Sequence, residues 1–148
     1  MKLSGIVIDD LLPHAGPMVL LDEVTAVSED SLSARLTVRA DGLFDNAEVV
    51  PALLGIEYMA QTVAAWAGYH AQRRGEPVRP GLLLGAREYH SSTAEFKVGE
   101  TLDVNAALVM QSAAGMAVFD CTIDNERLAV SARLTVLTVD SHDISNFA

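Results

Sequence analysis

One long, almost wholly apolar segment in the middle of this chain constrains its fold most. No proline occurs from Ala52 to Arg74, and Gly75 follows as a helix stop. Pro51 stands directly before the segment, where proline suits the first turn of a helix. The first part, ALLGIEYMAQTVAAWAGY, is apolar on nearly every side. It therefore predicts a helix of roughly 35 Å, at ~1.5 Å per residue, that is buried rather than amphipathic.

A membrane-spanning helix is the alternative for such a segment. Glu57 and Gln61 interrupt it, however, and Arg73 and Arg74 end it, so we expect no membrane span. The apolar stretch at the N-terminus is too short for a secretory signal.

On both sides of this helix the apolar residues recur at every second position. The alternation is clearest in three segments, 32–39, 102–111 and 128–136. This period is typical of strands with one buried face. Two turn-like segments, 112–115 and 124–126, separate successive strands and favour antiparallel pairing.

The order of elements is two strands, the helix and four more strands. A curved antiparallel sheet wrapped around the helix is the simplest way to cover it, which predicts an α+β hotdog fold. We expect one domain over residues 1–148, with a frayed tail at 140–148.

Composition narrows the possible partners and cofactors. Of 148 residues, half are hydrophobic, and the net charge of −10 argues against nucleic-acid binding. No residue set has metal-ligand spacing and no glycine loop suits a phosphate, so we expect neither metal nor cofactor. The single cysteine, Cys121, predicts a small core side chain rather than a reactive thiol. A reducing cytoplasm fits this cysteine content.

Glu57 is the most informative polar residue, since it lies in the second turn of the apolar helix. A buried carboxyl group must be paired, hydrogen-bonded or protonated. Gln61 lies one turn later on the same face and can bond it. An apolar cleft would suit such a group for proton transfer. The alternative is a carboxylate that points out at the mouth of the helix.

The start of the same helix offers a second element. Its first N–H groups, around 52–54, have no intrahelical partner and could polarise a thioester carbonyl. We expect Ala52, Leu53 and Gly55 to line a substrate site there.

The four histidines give a weaker signal. His14 is a candidate for proton transfer because Pro13 and Pro17 bracket it and fix the backbone. For His70, His90 and His142, as for His14, a surface or structural imidazole is the simpler interpretation.

Three blocks of the chain resemble, in order, those of the hotdog 3-hydroxyacyl-(acyl carrier protein) dehydratases. They read LPHAGPMVLLDEV (12–24), GLFDNAEVVPALLGIEYMAQ (42–61) and LLLGAREYHSSTAEFKVGETLDV (82–104). The family blocks read roughly LPHRxPFLLVDRV, GHFPxxPxxPGVLxxExxxQ and a strand ending in PGD. The segment PALLGIEYMAQ is most similar to dehydratase-like proteins of aryl-polyene biosynthesis.

The resemblance implies dehydration of a 3-hydroxyacyl thioester, on an acyl carrier protein, to a trans-2-enoyl thioester. A His and a Glu from different subunits of a dimer share the proton transfer in this family. Glu57 and Gln61 stand at the family's Glu and Gln. Ala52 replaces the helix-start Gly whose N–H polarises the thioester, which leaves less room for it.

The catalytic His of the family aligns with Leu43, which cannot move a proton but can still line the substrate site. Asp45 and Asn46 also replace the Phe-Pro pair that the family has there. Three explanations compete. A related hotdog subunit supplies the imidazole in a heterodimer, which we prefer. Alternatively, His14 or Asp45 takes over, or the chain is a non-catalytic binding subunit. A hotdog thioesterase, which uses its carboxylate to activate water, is the main enzymatic rival.

Four of the ten basic residues fall close together at Arg73, Arg74, Arg79 and Arg87. Basic residues favour helix ends, so a solvated helix end is the simpler interpretation. The functional one is a docking site for an acidic acyl carrier protein.

Overall fold

The structure, a computed structural model, describes residues 6–13, 18–40, 48–79 and 81–138. Within these segments the chain forms two α-helices, a 3-10 turn and eight strands. In chain order they are α1 (Ile8–Leu11), β1 (Glu23–Val27), β2 (Ser31–Thr37), β3 (Val49–Pro51), the 3-10 turn (Ala52–Leu54), α2 (Gly55–Arg73), β4 (Gly81–Ser91), β5 (Glu95–Lys97), β6 (Thr101–Gln111), β7 (Met116–Asp124) and β8 (Ala129–Thr138).

Six strands form one antiparallel sheet in the order β1-β2-β6-β7-β8-β4. They are the two strands before the helix and the four after it that the sequence predicts. The other two, β3 and β5, pair with each other in a separate ladder. Each has three residues, which is too short to show an alternating pattern.

Strands β2, β6, β7 and β8 bury alternate side chains against α2, whereas the side chains of β4 are exposed or half-buried. In β7, for example, Phe119, Cys121 and Ile123 are buried, and Leu32 and Leu36 of β2 lie in the same core. Burial raises the pKa of the Cys121 thiol to about 12, so this cysteine is an inert core side chain.

The helix begins later than the sequence predicts. Pro51 is the last residue of β3 and has extended backbone angles, so it precedes the first turn rather than joining it. A 3-10 turn then leads into α2 at Gly55. At the other end α2 stops at Arg73, and Gly75 takes a φ of 72°, the left-handed conformation of a helix stop.

The whole of α2 up to Ala71 is buried or half-buried, as predicted for an apolar helix. At Gly68 it closely approaches α1, because a Cβ added there would lie 2.0 Å from the Leu11 carbonyl oxygen. Gln72 also donates to the Asp10 carbonyl across 2.7 Å.

An antiparallel sheet wrapped around one long helix is the predicted hotdog architecture, which is therefore confirmed. Neither α1 nor α2 combines the length and apolar character that crossing a bilayer requires, and no other α-helix occurs in the described segments. The tail at 140–148, predicted to be frayed, lies outside the described residues.

Candidate functional site

The carboxylate of Glu57 lies beside a cavity between α2 and the edge of the sheet. Glu57 is half-buried, and the cavity has a volume of about 180 Å³. The cavity is mostly apolar, and of its lining residues only Glu57 and Arg79 are ionisable. The others are Pro13, Ala60, Val63, Ala64, Ala67, Gly81, Leu83 and Val136. A carboxyl group at the wall of an apolar cavity is suited to exchange a proton with a substrate held there.

Gln61 orients Glu57 and is itself fully buried. Its Nε2 donates to Glu57 Oε1 across 3.1 Å and to the Met18 carbonyl across 2.7 Å. Its Oε1 accepts the N–H of Leu20 at 2.9 Å. Because a backbone N–H can only donate, this contact fixes which end of the amide faces Glu57. One side chain thus connects the carboxylate to the loop before β1.

The predicted thioester donor at the start of the helix is engaged within the chain. The Ala52 N–H donates to the Ala94 carbonyl at 2.9 Å. Its carbonyl accepts a short hydrogen bond from the Tyr89 hydroxyl. Leu53 follows with its side chain 67% exposed, whereas Gly55 is buried. A Cβ at Gly55 would lie 2.8 Å from the Tyr89 hydroxyl oxygen, so this position has no room for a side chain.

Tyr89 is a residue that sequence reasoning missed. It follows Glu88, which has a φ of 55°, at an irregularity in the pairing of β4 with β8. The bulge directs Tyr89 toward the start of α2, and burial raises the pKa of its hydroxyl. No local pattern could have shown this contact, since it depends on a backbone conformation that is rare for glutamate.

Three predicted site residues, His14, Leu43 and Asp45, lie outside the described residues. His14 is four positions before Met18, the residue that Gln61 contacts. Two further histidines, His70 and His90, are described, and neither lines the cavity of Glu57. His70 is near the end of α2 and contacts the Ser28 carbonyl at 3.0 Å, while His90 is near the end of β4.

The structure places the four arginines in different local surroundings. Arg73 lies over the Tyr69 ring at 5.7 Å, and Arg74 pairs with Glu76 at 3.3 Å. Arg79 lies at the cavity of Glu57. Arg87 is six residues into β4, roughly 20 Å from its first residue at ~3.3 Å per residue. Arg74 and Arg79 line one cavity at the end of α2, and carrier docking at the four arginines stays a prediction.

Comparison with known proteins identifies the relatives of this chain. Residues 6–148 match the ApeP-like family, described as ApeP dehydratase. The 3-hydroxyacyl-[acyl-carrier-protein] dehydratase FabZ of Pseudothermotoga lettingae is 38% identical over 109 residues, which cover 62% of this chain and 76% of the relative.

A solved structure supports the same grouping. The dehydratase heterocomplex ApeI:P from Xenorhabdus doucetiae contains a chain that is 30% identical, with a TM-score of 0.87 and coverage of 96% of this chain and 97% of that one. An uncharacterised protein from Pyrococcus horikoshii, PH1136, has a TM-score of 0.60 at 14% identity, with coverage of 85% and 88%. The similarity to PH1136 shows the fold alone.

Proposed function

This chain belongs to the ApeP-like family of dehydratases, and we propose that it takes part in removing water from a 3-hydroxyacyl thioester on an acyl carrier protein. The observation that carries the proposal is the position of Glu57 at the wall of an apolar cavity, oriented by the buried amide of Gln61. The FabZ relative is a 3-hydroxyacyl-[acyl-carrier-protein] dehydratase, which is the reaction and the carrier proposed for this chain. The acyl chain would belong to fatty-acid or aryl-polyene biosynthesis.

The proton transfers in this proposal divide between two groups. A base takes the proton from C2 of the substrate, and the electron pair of that C–H bond forms the C2–C3 double bond. Protonated Glu57 gives its proton to the C3 hydroxyl, which leaves as water. The base then returns one proton to Glu57, so both groups are restored.

The thioester carbonyl would lie at the 3-10 turn that leads into α2. There the positive end of the helix dipole stabilises the negative charge that develops on the oxygen. Since the Ala52 N–H is engaged by Ala94, the next N–H, of Leu53, is the donor we propose.

We further propose that a second hotdog subunit supplies the base. Leucine stands at position 43, where the family has its histidine. The similar chain from Xenorhabdus doucetiae was solved as part of a heterocomplex. The chain also has a suitable edge, because β4 ends the main sheet and exposes Leu82, Leu83 and Leu84 by 44%, 43% and 51%. An exposed apolar edge strand is suited to pairing with another chain.

Two other sources of the base, His14 and Asp45, would make the isolated chain active. A non-catalytic subunit is the second candidate function, and Leu43 is the observation that favours it. In that case Glu57 would contribute nothing to turnover in any complex. A thioesterase would release free thiol rather than an enoyl thioester.

The experiment is to assay the chain alone, and after co-expression with a histidine-bearing hotdog subunit, on a 3-hydroxyacyl carrier protein. Mass spectrometry separates the enoyl product from hydrolysis. We expect dehydration by the complex only, and a loss on the order of 100-fold with Glu57→Gln. Glu126→Gln, in the exposed turn before β8, is the matched control. Full activity of the Glu57→Gln complex would remove Glu57 from the mechanism.

A further inference from the structure

Arg39, an exposed residue just after β2, makes a contact to which the proposed dehydration assigns no role. Its Nη2 donates to the Val19 carbonyl across 2.5 Å, which joins two segments that lie 20 positions apart in the chain. Val19 belongs to the loop Met18–Leu20, and Gln61 binds this same loop. The guanidinium of Arg39 therefore holds the loop to which the orienting amide of the site is attached.

The three residues of the loop are bound through successive backbone groups. Gln61 Nε2 donates to the Met18 carbonyl, and Gln61 Oε1 accepts the Leu20 N–H. Arg39 binds the Val19 carbonyl, which lies between these two groups in the chain. A hydrogen bond from a charged donor is stronger than one between neutral groups. The loop is thus held between a buried amide of α2 and a cation at the end of β2.

The backbone that carries Arg39 is fixed as well. The preceding residue, Val38, is buried, and both of its peptide groups bind the turn before β6. Its N–H donates to the Glu100 carbonyl and its carbonyl accepts the Gly99 N–H, both at 2.8 Å. Because the base of the arginine is fixed and its guanidinium is planar, little further freedom is lost when it binds the loop.

The position of the loop determines how Gln61 presents its amide to Glu57. The nitrogen that donates to the Met18 carbonyl is the one that donates to Glu57 Oε1. A shift of the loop would turn or release this amide, and the carboxyl group would then meet the substrate from a different direction. A misplacement of about 1 Å can lower a rate on the order of 100-fold, so a residue that does not touch the substrate can still affect turnover.

Buried side chains provide a second set of anchors for this region. Val19 and Leu21 are only 6% and 2% exposed, whereas Met18 is 64% exposed. Burial of side chains fixes where the chain passes, and hydrogen bonds fix how its peptide groups are turned. Because Gln61 binds peptide groups of the loop, the contact from Arg39 bears more directly on the site than the buried side chains do.

We propose that Arg39 is a positioning residue for Glu57, acting through the loop Met18–Leu20 and the amide of Gln61. This inference rests on the proposed function, because it assigns Arg39 to the proton transfer of Glu57. Arg39 contacts the loop, so its removal should slow the chemical step and leave substrate binding nearly unchanged.

Arg39→Met removes the donor and keeps an unbranched side chain. In the active complex, on a 3-hydroxyacyl carrier protein, we expect kcat to fall about tenfold and KM to stay within about twofold. Arg39→Lys keeps a charged donor and should return kcat to within about threefold of the wild type.

Arg35→Met is the matched control for these variants. Arg35 is an exposed arginine of β2 whose Nε pairs with Asp103 at 2.9 Å, and neither residue lines the cavity of Glu57. This change should alter kcat by less than about twofold. Equal losses in Arg35→Met and Arg39→Met would overturn the inference, since they would reflect the loss of a surface cation.

A double-mutant cycle with Gln61→Leu tests whether Arg39 acts through that amide. If it does, Arg39→Met should lower kcat by less than about twofold once residue 61 is leucine. Losses that multiply independently would mean that Arg39 affects turnover by another route, and they would overturn the inference.

Amide hydrogen exchange gives a measurement that does not depend on turnover. The Leu20 N–H is bonded to Gln61 Oε1, so it exchanges when the loop opens. By NMR of the complex, with only this chain isotope-labelled, we expect exchange at Leu20 to be about tenfold faster in Arg39→Met and unchanged in Arg35→Met.

Two exchange results would overturn the inference. Unchanged exchange at Leu20 in Arg39→Met would show that the buried side chains of Val19 and Leu21 hold the loop without the arginine. Faster exchange with unchanged kcat would show that the loop does not position Glu57. If instead the wild-type complex dehydrates no substrate, the proposed function itself fails, which is a different result from an active wild type that Arg39→Met leaves unaltered.

Discussion

The hydroxyl of Tyr89 donates to the carbonyl of Ala52, and the N–H of Ala52 donates to Ala94, so the first residue of the helical segment is held from both sides. Tyr89 belongs to β4, the exposed edge strand of the main sheet. The same strand therefore offers an edge to another chain and positions the helix start at which we propose the thioester binds. A change at that edge should therefore alter the position of the helix start at the site.

Tyr89→Phe is expected to lower stability by about 1 kcal/mol, since it removes one hydrogen bond and keeps the ring. We also expect a several-fold loss of kcat with little change in KM, because the helix start would act mainly on the charge that develops in the transition state. Kinetics of the complex and thermal unfolding measure the two effects. Tyr69→Phe, one turn before Arg73, is the matched control. Identical kinetics in both variants would deny Tyr89 a positioning role.

Gln61→Leu removes the link between Glu57 and the loop before β1. The Leu20 N–H and the Met18 carbonyl would lose their partner, and leaving such groups unsatisfied costs about 1–3 kcal/mol each. We expect a clear loss of stability in urea unfolding. We also expect the rate of dehydration to fall by more than the loss of folded protein explains. Gln72→Leu, which breaks a comparable bond from α2 to Asp10, controls for the loss of a helix-to-loop contact. Equal activity in the two variants would argue that Gln61 serves only the fold.

What could be predicted from the sequence depended on local patterns. The apolar helix and the period-two strands follow from residue spacing, and the pair Glu57–Gln61 follows because four positions make one helical turn. The contact of Tyr89 with Ala52 spans 37 positions and depends on the positive φ of Glu88, which no pattern encodes.

The boundaries of elements and cavities could not be predicted from the sequence either, because they also depend on contacts between residues far apart in the chain. Pro51 suits both the first turn of a helix and the end of a strand, and its pairing with Glu95 in β5 decides between them. Similarly, Ala67 and Arg79 line the same cavities only because the chain returns from α2 to β4 beside the helix.

A substitution at Gly68 tests the packing of α1 against α2. Its Cβ position lies 2.0 Å from the Leu11 carbonyl oxygen, which is backbone and cannot turn aside. We expect Gly68→Ala to lower the free energy of unfolding by about 1–3 kcal/mol through overpacking. Gly85→Ala is the matched control, since no atom lies within 4 Å of its Cβ position. That variant should stay within about 0.5 kcal/mol of the wild type, and equal effects of the two changes would contradict the close approach.

Glu100 should make stability depend on acid pH. Its side chain is 11% exposed, and Arg127 binds it through two nitrogens at 2.7 and 2.9 Å. These hydrogen bonds lower the pKa of Glu100 from 4.5 to about 2. Because the pKa of Glu100 is lower in the folded than in the unfolded protein, its ionised form stabilises the fold at pH values above the unfolded-state pKa. This stabilisation is lost as pH falls from about 4.5 toward 2. After allowance for solvent screening we expect about 1–2 kcal/mol.

Urea unfolding of the wild type and Glu100→Gln between neutral pH and the acid limb measures this effect. The variant should be less stable near neutrality, and the two curves should converge as the carboxylate of the wild type becomes protonated. Asp124→Asn, at the end of β7, is a control carboxylate that leaves the Arg127 pair intact. A constant difference between wild type and Glu100→Gln at every pH would show that the loss comes from packing rather than from the ionised pair.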